Sequence, residues 1–207
     1  MNGDAVEIRV LSCLIEKQRT TPDAYPLSLN SLRLACNQST NRDPVVDYDE
    51  AEIRAALERL SNRGWTRLAS GPGSRAAKYR HLLDQALELS NDELSVLAVL
   101  MLRGPQTIGE LKQRSDRLHS FASLDAIAET LDRLAHRELA ARAARRPGQK
   151  EDRYMQLLGG SEEAAPAPER HAARPDERLE RIEERLERLE RQFDELQKAL
   201  GNVPAYD

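Results

Sequence analysis

The residues best suited to chemistry in this 207-residue chain are basic ones at two turn-like segments. Arg75, Lys78 and Arg80 follow Gly71-Pro-Gly-Ser74, and Arg145, Arg146 and Lys150 surround Pro147-Gly148. Guanidinium and ammonium groups on a hairpin can neutralise phosphates, giving a salt-sensitive affinity that is indifferent to base sequence. The same charges also deter edge-to-edge pairing of an exposed strand. A second polar stretch runs from Asn37 to Pro44, where Asn37, Gln38, Asn41, Arg42 and Asp43 could form a partner or ligand surface. Asn, Asp and Ser are equally turn formers, with Arg42 pairing to Asp43 or Asp47.

Catalysis finds little footing. His81, His119, His136 and His171 lie far apart, with no HxxxH or HExxH pair and no Cys at metal-ligand spacing, so no metal site is expected. There is no GxSxG nucleophile turn and no GxxxxGK[ST] loop. Gly71-Pro-Gly73 lies between two strand patterns rather than leading into a helix, which makes it a turn tip and not a phosphate cradle. Cys13 and Cys36 sit in apolar segments and are expected as buried, reduced thiols. A non-enzymatic protein without a cofactor is expected.

The elements that position the basic residues repeat. Ala51-Glu-Ile-Arg-Ala-Ala-Leu-Glu-Arg-Leu60 returns as Asp125-Ala-Ile-Ala-Glu-Thr-Leu-Asp-Arg-Leu134, and Tyr79-Arg-His-Leu-Leu83 as Tyr154-Met-Gln-Leu-Leu158. Val6, Val10, Leu11 and Leu14 are matched with Leu94, Leu97, Val99 and Leu102 on a similar amphipathic helix. Each copy reads as three helices and a hairpin. Capping-box spacings open helices at Asp4-Ala-Val-Glu7, Ser90-Asn-Asp-Glu93 and Thr107-Ile-Gly-Glu110. Second helices are expected at about Ser28 to Cys36 and from Thr107. Third helices are expected at about Asp49 to Arg63, stopped by Gly64, and Leu124 to Arg137. Trp65–Ala69 and Ala76–Leu82 flank the first turn as strands. This is the order of a winged helix, so the fold class is mainly α with small β-hairpin wings. The domains are 1–86 and 87–158.

Cys13-Leu-Ile-Glu-Lys17, Ala35-Cys-Asn-Gln-Ser-Thr-Asn-Arg-Asp-Pro-Val45 and Leu102-Arg-Gly-Pro-Gln-Thr107 resemble the YceH family of uncharacterised bacterial proteins. The resemblance covers most of residues 4 to 158. It implies a tandem pair of winged-helix domains and supplies no activity.

Residues 159–175 are rich in Ala, Pro and charge, as a flexible linker would be. Over 176–201, Leu179, Ile182, Leu186, Leu189, Phe193, Leu196 and Leu200 follow a 3,4 spacing and form a coiled-coil seam. Arg178 and Arg185 precede Glu183 and Glu190 by the g-to-e interval, which favours a parallel homodimer over an antiparallel one. A lone helix, or one folded back on its own chain, is the other reading. The formal charge of -4 divides unevenly, with about -5 in the tail after residue 160 and about +1 before it. No apolar run is long enough to span a membrane and no signal-peptide pattern opens the chain, so the expected compartment is the cytoplasm. Double-stranded DNA is the expected partner by analogy of fold, with the hairpins on phosphates. Against it stand the acidic third helices, with Asp47, Asp49, Glu50 and Glu52 in one copy and Asp125, Glu129 and Asp132 in the other. The alternative is a protein-protein interaction module that uses these helices as docking surfaces.

Overall fold

Four reciprocal caps fix where helices begin. In a computed structural model that describes residues 3–69, 76–144 and 151–159, α1 (Ala5–Thr20) starts at Asp4, whose carboxylate accepts from Glu7 N at 2.8 Å while Asp4 N donates to Glu7 Oε2 at 2.7 Å. A short 3-10 turn and β1 (Leu27–Ser28) lead to α2 (Leu29–Cys36), capped by Ser28. The third helix, α3 (Glu50–Asn62), opens with a further Asp49/Glu52 box and is followed by β2 (Thr66–Leu68), β3 (Lys78–His81) and the short α4 (Leu83–Ala86). The second copy repeats the order as α5 (Asn91–Arg103), α6 (Ile108–Ser115), α7 (Leu124–His136), β4 (Ala140–Arg142) and β5 (Tyr154–Gln156). Boxes open α5 at Ser90/Glu93 and α6 at Thr107/Glu110. The fold is therefore mainly helical with small antiparallel sheets.

Helix ends repeat as well. Gly64 has φ +73°, and Trp65 N donates to Leu60 O while Gly64 N donates to Ser61 O, the paired bonds that close a helix with a left-handed residue. Glu138 does the same for α7 at φ +55°, with Leu139 N on Leu134 O and Glu138 N on Ala135 O. A glycine would adopt that conformation without the Cβ penalty.

The first sheet has the order β1-β3-β2, antiparallel throughout. In the second, β4 pairs β5, and a single bridge between Gln106 and Tyr154 stands where Leu27 pairs Tyr79 in the first. Alternation puts Tyr79 and His81 inward and Lys78 and Arg80 outward. Tyr79 and Tyr154 both pack on the core.

The two first helices are buried on every side over most of their length. Every residue from 7 to 15 in α1 and from 93 to 102 in α5 is buried. A stretch buried on all sides lies in the middle of a core, and α1 packs more extensively against α5 than against any helix of its own repeat. The buried apolar residues of both repeats form one cluster, within the unit Met1–Glu162.

A repeated ion cluster ties each third helix to its first. Glu7, 1% exposed, receives Arg59 Nε at 3.1 Å and Arg63 Nη1 at 3.3 Å, and Arg59 also reaches Asp4 at 2.6 Å. In the second copy Glu93 receives Arg133 at 3.6 Å and Arg137 at 3.4 Å, with Asp92 also on Arg133. Glu7 thus corresponds to Glu93, Ile8 to Leu94 and Leu11 to Leu97. This register is shifted from the one the apolar spacing suggests.

His81 is buried under the first sheet, its Nε2 donating to Gln18 Oε1 at 2.6 Å and its Nδ1 3.6 Å from Asp84. Burial pushes its pKa down to about 4, against the attraction of Asp84 and with Arg80 and Arg19 adding to the depression. An unfolded histidine titrates near 6.5, so unfolding takes up a proton between those values and stability falls as pH drops through that window. At about 1.4 kcal/mol per pH unit the full effect approaches ~3 kcal/mol. Urea midpoints of the wild type at about pH 7 and about pH 4.5 should differ more than those of His81→Gln. Equal differences would show that other groups carry the acid sensitivity.

Candidate nucleic-acid interface

The outward face of the first hairpin collects cations. Arg67 on β2 stands directly opposite Arg80 on β3, and Lys78 lies two residues from Arg80 on the same face. Like charges placed directly across a ladder are destabilising, so this arrangement works against the sheet unless an anion meets it. Among the described residues no carboxylate lies within ion-pair distance of Arg67, Lys78 or Arg80. Sequence reasoning found Lys78 and Arg80 and missed Arg67, whose signal was its cross-strand register. Arg75, the third residue expected here, lies outside the described residues, as do Arg145, Arg146 and Lys150 of the second hairpin.

The second hairpin departs from this pattern where it is described. Ala141 and Met155 face each other at the positions of Arg67 and Arg80. Arg153, the counterpart of Lys78, donates to Glu110 at 2.7 Å and to Pro105 O at 2.9 Å. Arg142 pairs with Asp152 at 3.2 Å and lies over the Tyr154 ring, 5.9 Å from its centroid.

The third helices offer few free cations. Arg59, Arg63, Arg133 and Arg137 are held by the ion clusters described above. What α3 exposes is Glu50, Glu52, Arg54 and Glu58, and α7 exposes Asp125, Glu129 and Asp132. Asp49 and Glu52 are further committed to capping each other's backbone, while Asp47 accepts from Asn37 at 3.3 Å.

The polar loop between α2 and α3 is mostly turned inward. Arg42 has a fully buried side chain and pairs with Glu16, not with Asp43 or Asp47, through contacts of 2.5 and 3.2 Å. Its remaining donors reach Ala35 O, Asn41 O and Gln38 Oε1. Asn37 bonds both backbone groups of Tyr48, at 2.8 and 3.0 Å, as a strand neighbour would. Arg9, also buried, donates to Cys36 O and Pro44 O. Asn41 and Asp43 keep exposed side chains, although Asn41 accepts from Arg103 and the Asp43 N–H bonds Leu102 O at 2.9 Å. The loop therefore joins the two repeats.

Cys13 and Cys36 are free thiols, both buried, with Cys13 Sγ donating to Ala35 O at 3.4 Å. Among the described residues there is no group of three or more His, Cys, Asp or Glu able to hold a metal ion. No described helix is long and apolar enough to cross a membrane. The seam residues Leu179, Ile182, Leu186, Leu189, Phe193, Leu196 and Leu200 lie outside the described residues.

These features define a mainly helical protein built from two copies of a helix, helix, helix, hairpin unit, with an unbalanced basic face on the first hairpin. Comparison with known sequences supplies the family. Residues 4–149 match the family described as "Protein of unknown function, DUF480", and the chain belongs to it. A UPF0502 protein of Geotalea daltonii is 51% identical over 170 residues, covering 79% of this chain and 78% of the relative. One from Pseudomonas syringae pv. syringae is 46% identical over 180 residues, 84% of this chain and 79% of the relative. A third, from Pseudomonas aeruginosa, is 48% identical over 165 residues, 80% and 74% of the two chains. The resemblance to the YceH family is consistent with this membership.

Proposed function

We propose that the chain is a non-enzymatic tandem winged-helix protein that binds double-stranded DNA, as a regulator or architectural protein, and is doubled by a parallel coiled coil over residues 176–201. The observation that carries this reading is the Arg67–Arg80 cross-strand pair with Lys78 beside it, facing outward and without a carboxylate partner among the described residues. Support also comes from the order α1, β1, α2, α3, β2, β3 with sheet order β1-β3-β2, which is that of a winged helix. The step from fold to duplex is an analogy; the charge on the hairpin is not. With acidic third helices, the hairpin rather than the major-groove helix supplies the attraction. Binding should then be strongly salt-dependent and weakly selective for sequence.

The test is a gel-shift titration of the full chain on duplex DNA over a salt series. Replacing Arg67, Lys78 and Arg80 together by Ala should weaken binding at low salt by about 100-fold or more and flatten the salt slope by about one per lost phosphate contact. A chain truncated after Gly159 should bind more weakly than the full chain, because two linked sites raise the effective concentration of the second. Absence of retained duplex at the lowest salt, or a triple variant that binds as the wild type does, would overturn the reading. The exposed acids of α3 and α7 favour a second one, docking of a basic protein surface. Cross-linking that captures such a partner, lost when Glu50, Glu52 and Glu58 become Gln, would support it.

A further inference from the structure

A groove of about 380 Å³ opens on the side of the molecule where the loop after α2 meets the second repeat. Its walls come from the last turns of α1, from Asn41, from the end of α5 and from α6 with the residues after it. Val99, Leu102 and Leu118 make one part of the lining apolar, and Arg103, Arg114 and Arg117 ring the rest. The volume is at the low end for a small-molecule site, and the cationic lining suits a charged ligand.

The charge in the groove is not balanced from within. Among the described residues Glu16 is its one acidic lining residue, and both its oxygens are taken by the buried Arg42. Among the described residues the hydrogen-bond partner of Arg103 is the neutral amide oxygen of Asn41. Arg114 lies 3.5 Å from Glu110, but that carboxylate is held more closely by Arg153 at 2.7 Å. Arg117 is exposed, with no carboxylate in reach among the described residues. Burial disfavours the charged form of Arg103, Arg114 and Arg42 push it further in the same direction, and Glu16 and Asp43 offset part of this. Like charges assembled beside an apolar wall are relieved by a multiply charged anion, and planar guanidinium groups match phosphate oxygens bidentately.

We infer that this groove binds a small phosphorylated molecule, its phosphate groups held by Arg103, Arg114 and Arg117 and its less polar part lying on Val99, Leu102 and Leu118. Thr20, Asn41 and Gln113 complete the rim with neutral donors and acceptors. The Thr20 hydroxyl donates to Glu16 O at 3.0 Å, so its oxygen can still accept from a ligand. Walls drawn from both repeats give the ligand a grip on each. This inference stands apart from the DNA reading, because Arg67, Lys78 and Arg80 do not line the groove.

Inorganic pyrophosphate is the probe, titrated into the full chain by calorimetry. Saturable uptake is expected, tighter than that of inorganic phosphate. Arg117→Gln, at an exposed position where folding should not suffer, should weaken it about tenfold, as loss of one charge-assisted hydrogen bond would. Arg103→Gln together with Arg117→Gln should abolish it, whereas the Arg67, Lys78, Arg80 triple-Ala chain should bind pyrophosphate as the wild type does. The inference fails if there is no saturable uptake at millimolar pyrophosphate, or if Arg117→Gln leaves affinity unchanged. It also fails if duplex DNA displaces pyrophosphate and Arg117→Gln weakens both alike, which would make the groove a track for nucleic-acid backbone.

Discussion

Arg42→Ala should destabilise the protein by about 3–5 kcal/mol, the cost of removing one partner from a buried ion pair and leaving the other charge uncompensated. The guanidinium side chain is fully buried and Glu16 is only 15% exposed, so water cannot easily replace it. Three further acceptors, Ala35 O, Asn41 O and Gln38 Oε1, lose a donor at the same time. For a chain of this size the loss corresponds to a fall in Tm of about 10 °C, and the urea midpoint should move with it. Arg42→Lys keeps the charge but presents a point donor where a planar fork spans Glu16 and the loop carbonyls, so it should recover less than half of the loss. Glu16→Gln removes charge while keeping shape, and should cost less than Arg42→Ala because the carbonyl acceptors remain. A change of less than about 1 kcal/mol for Arg42→Ala, the value typical of an exposed pair, would show that the loop does not depend on it.

Arg42 also shows where reading by spacing stops. The long polar loop stood out because its composition is local, and so did the nearby carboxylates Asp43 and Asp47. The carboxylate that pairs with Arg42 lies 26 residues away on α1, and no local pattern points to it. The same holds for Glu7 with Arg59 and Arg63. These residues look like ordinary surface charges in the sequence, and only the packing of α3 across the start of α1 brings them together. Helix starts were legible because a capping box is local: the reading found Asp4/Glu7, Ser90/Glu93 and Thr107/Glu110, and the structure closes each. The stop at Gly64 was legible for the same reason, since a positive φ selects glycine. The end expected at about Arg137 holds as well, although Glu138 takes the left-handed conformation without the residue type that advertises it.

The candidate interface was half legible. Period-two alternation marks Lys78 and Arg80 as sharing a face, but the opposing Arg67 depends on the register between β2 and β3, which alternation along one strand does not give. The arginine groove left no local trace. Its cations come from two helices and the segment after one of them, and its acidic residue comes from the other repeat.

Leu97→Ala, in the second repeat, should lower stability by about 3 kcal/mol and should move the unfolding of the first repeat by the same amount. Leu97 is fully buried in α5, the helix on which α1 packs most extensively. Two independently stable domains would require each repeat to close its own core, yet α1 and α5 are buried on all sides and the apolar residues form one cluster. Separating the repeats would expose the facing surfaces of both helices, at about 25 cal/mol for each Å² of apolar area. The chain carries its own reporter for this test. Trp65 is its single tryptophan, 8% exposed, at the end of α3 with Arg63 over its ring. Its fluorescence follows the first repeat alone, whereas far-ultraviolet circular dichroism follows the helices of both. In the wild type the two signals should change together on urea titration, as a single cooperative transition does. In Leu97→Ala both should shift to lower urea by the same increment. A Trp65 transition that stays in place while the helical signal splits into two steps would show instead that the repeats fold as separate domains and that their contact is a docking surface between finished units.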